Sequence, residues 1–299
     1  MNARLLLIAL PLGLLALLVF AFRAGAAARL DGAAINARRR TVLISIMSAL
    51  AVIAFVVVST WPEGGEIRLA TLPALAATVG IVLAALAELT WPRPHGERRE
   101  ASIAARRGTT VRWLGPLFRA GLGASSLLLV TGVFTAGPTG RAVERDWSTG
   151  AASAGPYPGL PYAVPMALAL AVLAFATWWA LGRVDARPAL GPGLEAVDRA
   201  VRIAARVRVL RFAAAGTLTT AAGLALTMGT SLAQLAQNLR MNWEAAPQSP
   251  WDWTQNAGFA LIGLAVVLIL STIYVVFSWG PRIPSTSAAS RPGAQVGAA

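Results

Sequence analysis

Arg183 to Ala236 reads RVDARPALGPGLEAVDRAVRIAARVRVLRFAAAGTLTTAAGLALTMGTSLAQLA, and the change of character along it decides the fold. Between Arg183 and Arg211 seven arginines face three acidic residues, a net +4, while from Val209 to Ala236 the one charge is Arg211. A helix needs about 20 apolar residues to cross the ~30 Å hydrocarbon core of a bilayer. The second half of the stretch is therefore read as a membrane span, and the first half as the basic segment that anchors it.

Six further segments fit the same description: Arg4 to Phe22, Thr41 to Trp61, Leu69 to Trp91, Trp113 to Ala136, Tyr162 to Gly182 and Ala257 to Trp279. With Val209 to Ala236 the count is seven. The predicted fold class is all-α, a polytopic integral membrane helical bundle of about seven transmembrane helices. Composition agrees: 56% of the 299 residues are hydrophobic, against roughly 45–50% in soluble domains, and the mean hydropathy is +0.62. Residues 1–284 are assigned to the membrane domain. Residues 285–299, rich in Ser, Ala, Gly and Pro, are expected to be a disordered cytoplasmic tail.

The loops alternate in charge. Arg23 to Arg40, Glu88 to Arg119 and Arg183 to Arg211 each carry +4, and the tail after Trp279 adds +2. The intervening side carries +1 at the N-terminus, −1 from Glu63 to Arg68, 0 from Arg141 to Asp146 and −1 from Arg240 to Asp252. Arginine is retained on the cytoplasmic side of bacterial membranes, so the N-terminus is expected outside and the C-terminus inside a plasma membrane. The first segment also has features of a signal peptide, Arg4 before an apolar run and small residues Ala24 to Ala28 after it. Cleavage there would leave a +4 loop outside, so a retained helix is favoured.

The strong net charge of +13 is thus a topology signal. The arginines sit within a few residues of span ends and form no separate basic domain, which argues against nucleic acid as a partner. Arg38, Arg39, Arg106, Arg107, Arg206 and Arg208 are the candidate contacts to anionic inner-leaflet lipid. All 26 basic residues are arginine; the alanine and arginine bias is what a GC-rich coding sequence imposes. Without lysine a retinal-type Schiff base is excluded. Without cysteine, disulfides, thiolate metal sites and thiol nucleophiles are excluded. His95 is the single histidine, too few for a bis-histidine haem or a two-histidine metal site in one subunit. No metal or cofactor is expected.

Three short matches recur before outward-going spans: Ile35, Ala37, Arg38; Ile103, Ala105, Arg106; and Ile203, Ala205, Arg206, preceded by Asp31, Glu100 and Asp198. The returning spans end in Trp91, Arg93, Pro94; Trp179, Arg183, Arg187, Pro188; and Trp279, Arg282, Pro284. The pattern reads as three helical hairpins in parallel after an N-terminal helix, each with a short basic helix on the inner leaflet. Interface rules and composition bias alone produce part of this likeness.

Candidate chemistry is sparse. Midplane charge is where pumps and transporters show themselves, and only Glu88 and Arg119 come near, at inner span ends within reach of one another. The sharper feature is a stripe of small and polar residues on the sixth span: Gly216, Thr220, Gly223, Thr227, Ser231, Gln234 and Asn238 share one helical face. It is read as a polar seam for close helix packing or as a pathway lined with hydroxyls. Gly121, Ser125 and Gly132 on the fourth span form a shorter seam as its expected partner. Outside, Trp147, Trp243, Trp251 and Trp253 stand beside Glu144, Asp146, Glu244 and Asp252, the pattern of headgroup anchors.

Asp31, Gly32, Ala37 and Arg38 lack the spacing and the further aspartates of an Asp-Gly-x-x-Ala-Arg lipid phosphotransferase. No serine has a usable histidine. Glu63 and Glu66 read as a solvated turn. The sequence points to a non-enzymatic multi-pass membrane protein, a structural or accessory component of a bacterial envelope complex working with a membrane protein partner. The alternative is a transporter or permease for an uncharged or lipid-like solute.

Overall fold

The computed structural model of the protein describes residues 33–59, 65–89, 113–147, 150–187, 195–241 and 252–278. They form six helices: α1 (Ala33–Ser59), α2 (Glu66–Leu89), α3 (Leu114–Thr135), α4 (Leu160–Ala186), α5 (Glu195–Met241) and α6 (Asp252–Phe277). All six are long and apolar enough to cross a membrane. Each expected span within the described residues falls on one of them. The first expected span, Arg4 to Phe22, lies outside the described residues, as do the Ile103 repeat unit and residues 285–299.

α5 organises the bundle. It packs against each of the other five helices, and 67% of its apolar window is buried, against 17% for α1 and for α6. α5 is therefore the core, and α1 and α6 are peripheral. Its 47 residues make it about 70 Å long at 1.5 Å per residue, more than twice the bilayer core. The basic segment expected as a separate interfacial helix is the same helix as the span. From Glu195 to Arg211 there is no Gly or Pro, and Ala, Arg and Glu are among the strongest helix formers, so nothing breaks it. α1 likewise begins at Ala33, taking Arg38 to Arg40 into the helix.

Small residues set the helix spacing. Gly229 of α5 and Gly258 of α6 face one another so closely that a Cβ on either would lie 2.8 Å from the partner's carbonyl oxygen. Gly121 of α3 lies under Thr217 of α5, where an added Cβ would meet the threonine Oγ1 at 2.5 Å. Ser125 beside it donates to Thr217 O at 3.1 Å. The α3 seam thus meets α5 on its Thr217 face rather than on the expected stripe. Gly216 of the stripe packs against Ala77 of α2.

Among the described residues a strand hairpin lies between α3 and α4: β1 (Val143–Trp147) pairs antiparallel with β2 (Gly150–Ala154), Val143 opposite Ala154 and Arg145 opposite Ala152. Val143, Ala152 and Ala154 are buried, and Asn238 Nδ2 at the far end of α5 donates to Ser153 O at 3.0 Å. Val-Glu-Arg-Asp-Trp and Gly-Ala-Ala-Ser-Ala show no apolar alternation and too little apolar surface to be recognised as strands.

Candidate functional site

Two regions lie at opposite ends of the bundle. At the basic end, α4 stops because Arg187 precedes Pro188, whose ring pushes the preceding residue out of the helical region; Arg187 has φ −61° and ψ 135°. That turn sends its guanidinium into the bundle. Arg187 Nη2 donates to Asp198 Oδ1 of α5 at 2.7 Å, and Nη1 stands 3.6 Å from Glu88 Oε2 of α2. Arg202, one turn beyond Asp198, donates from Nε to Asp198 Oδ2 at 2.7 Å. Its other nitrogens reach Val184 O at 3.2 Å and Arg187 O at 2.6 Å. These are carbonyls at the end of α4, which lack intrahelical donors and carry the negative end of its dipole. All four side chains are at most 4% exposed.

The network extends sideways. Arg208 donates from Nε to Ser45 Oγ and from Nη2 to Thr41 O of α1, both at 3.0 Å. Arg206 pairs with Asp185 of α4. Arg211 Nη2 donates to Ser278 Oγ after α6 at 3.1 Å. Arg40 and Arg208 are both within Coulombic reach of Glu88. Burying ions costs several kcal/mol each unless they are paired and hydrogen-bonded; both oxygens of Asp198 accept from guanidinium nitrogens, whereas Glu88 Oε2 faces Arg187 Nη1 at 3.6 Å without a hydrogen bond.

These placements revise two expectations. Glu88 pairs with Arg187 and not with Arg119, which is exposed on α3. Their shared place at inner span ends suggested Arg119; the turn before Pro188 delivered a closer cation. Among the candidate lipid contacts, Arg208 is buried in the α1–α5 seam, Arg206 is engaged by Asp185, and Arg39 is exposed. The side chain of Arg38, and Arg106 and Arg107, lie outside what the structure describes.

At the other end, residues 155–159 form a strap from β2 to α4. Ser231 Oγ of α5 donates to Pro156 O at 2.7 Å. Tyr157 N donates to Arg141 O at 2.8 Å. The Tyr157 hydroxyl lies 2.6 Å from Thr135 Oγ1 of α3, and burial pushes this phenol above its ordinary value of 10.0. Gly132 leaves room for Pro158, whose carbonyl oxygen would be 2.5 Å from an added Cβ. Beneath the strap is a cavity of about 370 Å³, walled by Leu69, Ala70 and Pro73 of α2, Tyr162 and Met166 of α4, Pro156 to Pro158, and Thr219, Thr220, Gly223, Leu224 and Thr227 of α5.

The stripe on α5 is therefore divided among three tasks. Gly216 packs against α2; Thr220, Gly223 and Thr227 line the cavity; Ser231 and Asn238 hold the strap and hairpin. Gln234 is exposed. Of the expected aromatic anchors, Trp253 is exposed at the start of α6. Trp147 lies in β1 with its side chain undescribed, and Trp243, Glu244 and Trp251 are outside the described residues. Sequence reasoning placed Asp198 and Arg187 in the repeat pattern without bringing them together, and passed over Arg202; the dipeptide Arg187-Pro188 and the i,i+4 spacing of Asp198 and Arg202 were the available signals.

Among the described residues six helices, the mostly buried central one included, are long and apolar enough to cross a bilayer, which is compatible with a multi-pass membrane protein. No protein-family model matches it, and neither curated proteins nor solved structures show a significant similarity to it.

Proposed function

We propose that the chain is a seven-span, non-enzymatic protein of a bacterial plasma membrane, N-terminus outside and C-terminus cytoplasmic, serving as a structural or accessory component of an envelope complex. The observation that carries this reading is the buried ion-pair network joining α2, α4 and α5. Alternating access requires helices to part on each side in turn. Parting them here would pull Arg187 away from both Glu88 and Asp198, so each opening must break the pairing of buried charges. Such an end suits a rigid platform.

The orientation is supported by the collection of Arg39, Arg183, Arg187, Arg199, Arg202 and Arg206 at one end, the end that faces anionic cytoplasmic lipid. The three-hairpin repeat is supported by Ala37 and Ala205, matched positions that are both buried. The permease reading for an uncharged or lipid-like solute is favoured by the cavity on α5.

Paired spin labels at Leu89→Cys and Arg199→Cys, both exposed positions, separate the two in lipid nanodiscs. A platform gives one narrow distance distribution and a partner protein that co-purifies at fixed stoichiometry. Two interconverting distance populations would overturn the accessory reading in favour of the permease.

A further inference from the structure

The cavity beneath the strap is built for one kind of occupant. Its walls are Leu69, Pro73, Met166, Leu224 and the strap prolines, and no charged side chain lines it. The two threonines most suited to polar contact have already used their hydrogens: Thr220 Oγ1 donates to Gly216 O at 2.8 Å and Thr227 Oγ1 to Gly223 O at 3.0 Å. What they present to the cavity is methyl groups and oxygen lone pairs. A ligand can therefore bring hydrocarbon and a hydroxyl to meet those lone pairs, whereas a charged group would find no counter-charge among the lining residues, which is costly in an apolar site.

The mouth lies on the flank of the bundle. Among the lining residues, Leu69 of α2, Pro156 of the strap and Thr219 and Gly223 of α5 are exposed, so the opening runs from the strap along the flank between two helices that are apolar enough to stand in lipid. The solvent it faces is the bilayer, which supplies chains and not sugars or ions. A dry cavity of ~150 Å³ takes one benzene; by that scale about 370 Å³ takes one chain of roughly 15 carbons, and not two.

From these constraints we infer that the cavity binds a neutral, hydroxyl-ended lipid through its single hydrocarbon chain. The chain enters sideways between α2 and α5 and its hydroxyl donates to Thr220 or Thr227. Such binding requires neither the accessory role nor transport.

Gly223 provides the test. A Cβ there meets nothing within 4 Å, so Gly223→Leu adds bulk at the cavity lining without a backbone clash, and replacing a mid-helix glycine favours the helix. The probe is hexadecanol carrying a mid-chain diazirine, photolysed with the full chain in phosphatidylglycerol nanodiscs. A phosphatidylglycerol with the same labelled chain serves as the second arm, and adducts are mapped by mass spectrometry.

The expected result is saturable labelling of residues 156–158 and 219–227 by the alcohol, displaced by unlabelled hexadecanol. Gly223→Leu should lower it at least tenfold while melting no lower than the parent. Equal labelling by the phospholipid arm, or labelling that does not saturate, would show that the cavity holds bulk acyl chains and would overturn the inference. So would unchanged labelling in Gly223→Leu. If that variant fails to fold, Thr219→Trp, at an exposed lining position, reads out the same loss.

Discussion

Arg187 illustrates how a single residue acquires its role from its neighbour. Pro188 ends α4, and the guanidinium released from the helix inserts between Glu88 and Asp198 with no exposed surface. Arg187→Leu would leave both carboxylates without this cation in a buried site. Removing one partner of such a pair costs about 3–5 kcal/mol, and the variant is expected to melt well below the parent in detergent. Arg183→Leu, exposed on the same helix, should change the melting temperature little. Comparable losses in both would mean that the Arg187 network is not what holds this end.

At the scale of the element, α5 depends on continuity. Arg202 closes the end of α4 and Arg208 holds α1, so the two contacts are in register only while the residues between them stay helical. Ala204→Pro removes one intrahelical hydrogen bond and introduces a clash, at a cost of about 3 kcal/mol or more. We expect it to destabilise the protein by that amount and to release α1. Increased protease or deuterium access at residues 33–45 would record the release. An unchanged exchange pattern there would mean that α1 is held independently of the helical phase of α5.

At the scale of the whole molecule, the two ends differ in kind: paired charge at one, a hairpin and strap over an apolar cavity at the other. The proposed orientation puts the hairpin outside and the ion-paired end in the cytoplasm. Because the chain has no cysteine, single cysteines report this cleanly. Ser153→Cys, exposed on β2, should react with a membrane-impermeant thiol reagent in intact cells, and Arg199→Cys only after permeabilisation. The opposite pattern would invert the topology.

What was legible in the amino-acid order follows from one-dimensional physics. A run of apolar residues long enough for the bilayer must be helical so that its backbone groups pair internally, and the six such runs within the described residues are helices. The shared face of Gly216, Thr220, Gly223 and Thr227 was likewise readable, since a helix brings every third or fourth residue to one side. Its division into seam, cavity and strap contact was not, because α2, α4 and residues 155–159 each cover a different part of it. The i,i+4 pair of Asp198 with Arg202 was readable too, but spacing could not show that Asp198 would also receive Arg187, or that Glu88 would lie against α4. Those partners are distant along the chain and become neighbours only when packing gives buried charges no water to turn to. Helix existence was thus determined by the sequence itself, from hydrophobicity and backbone pairing; the choice of charge partners and the shape of the cavity were decided by tertiary structure, because desolvation acts on groups in space.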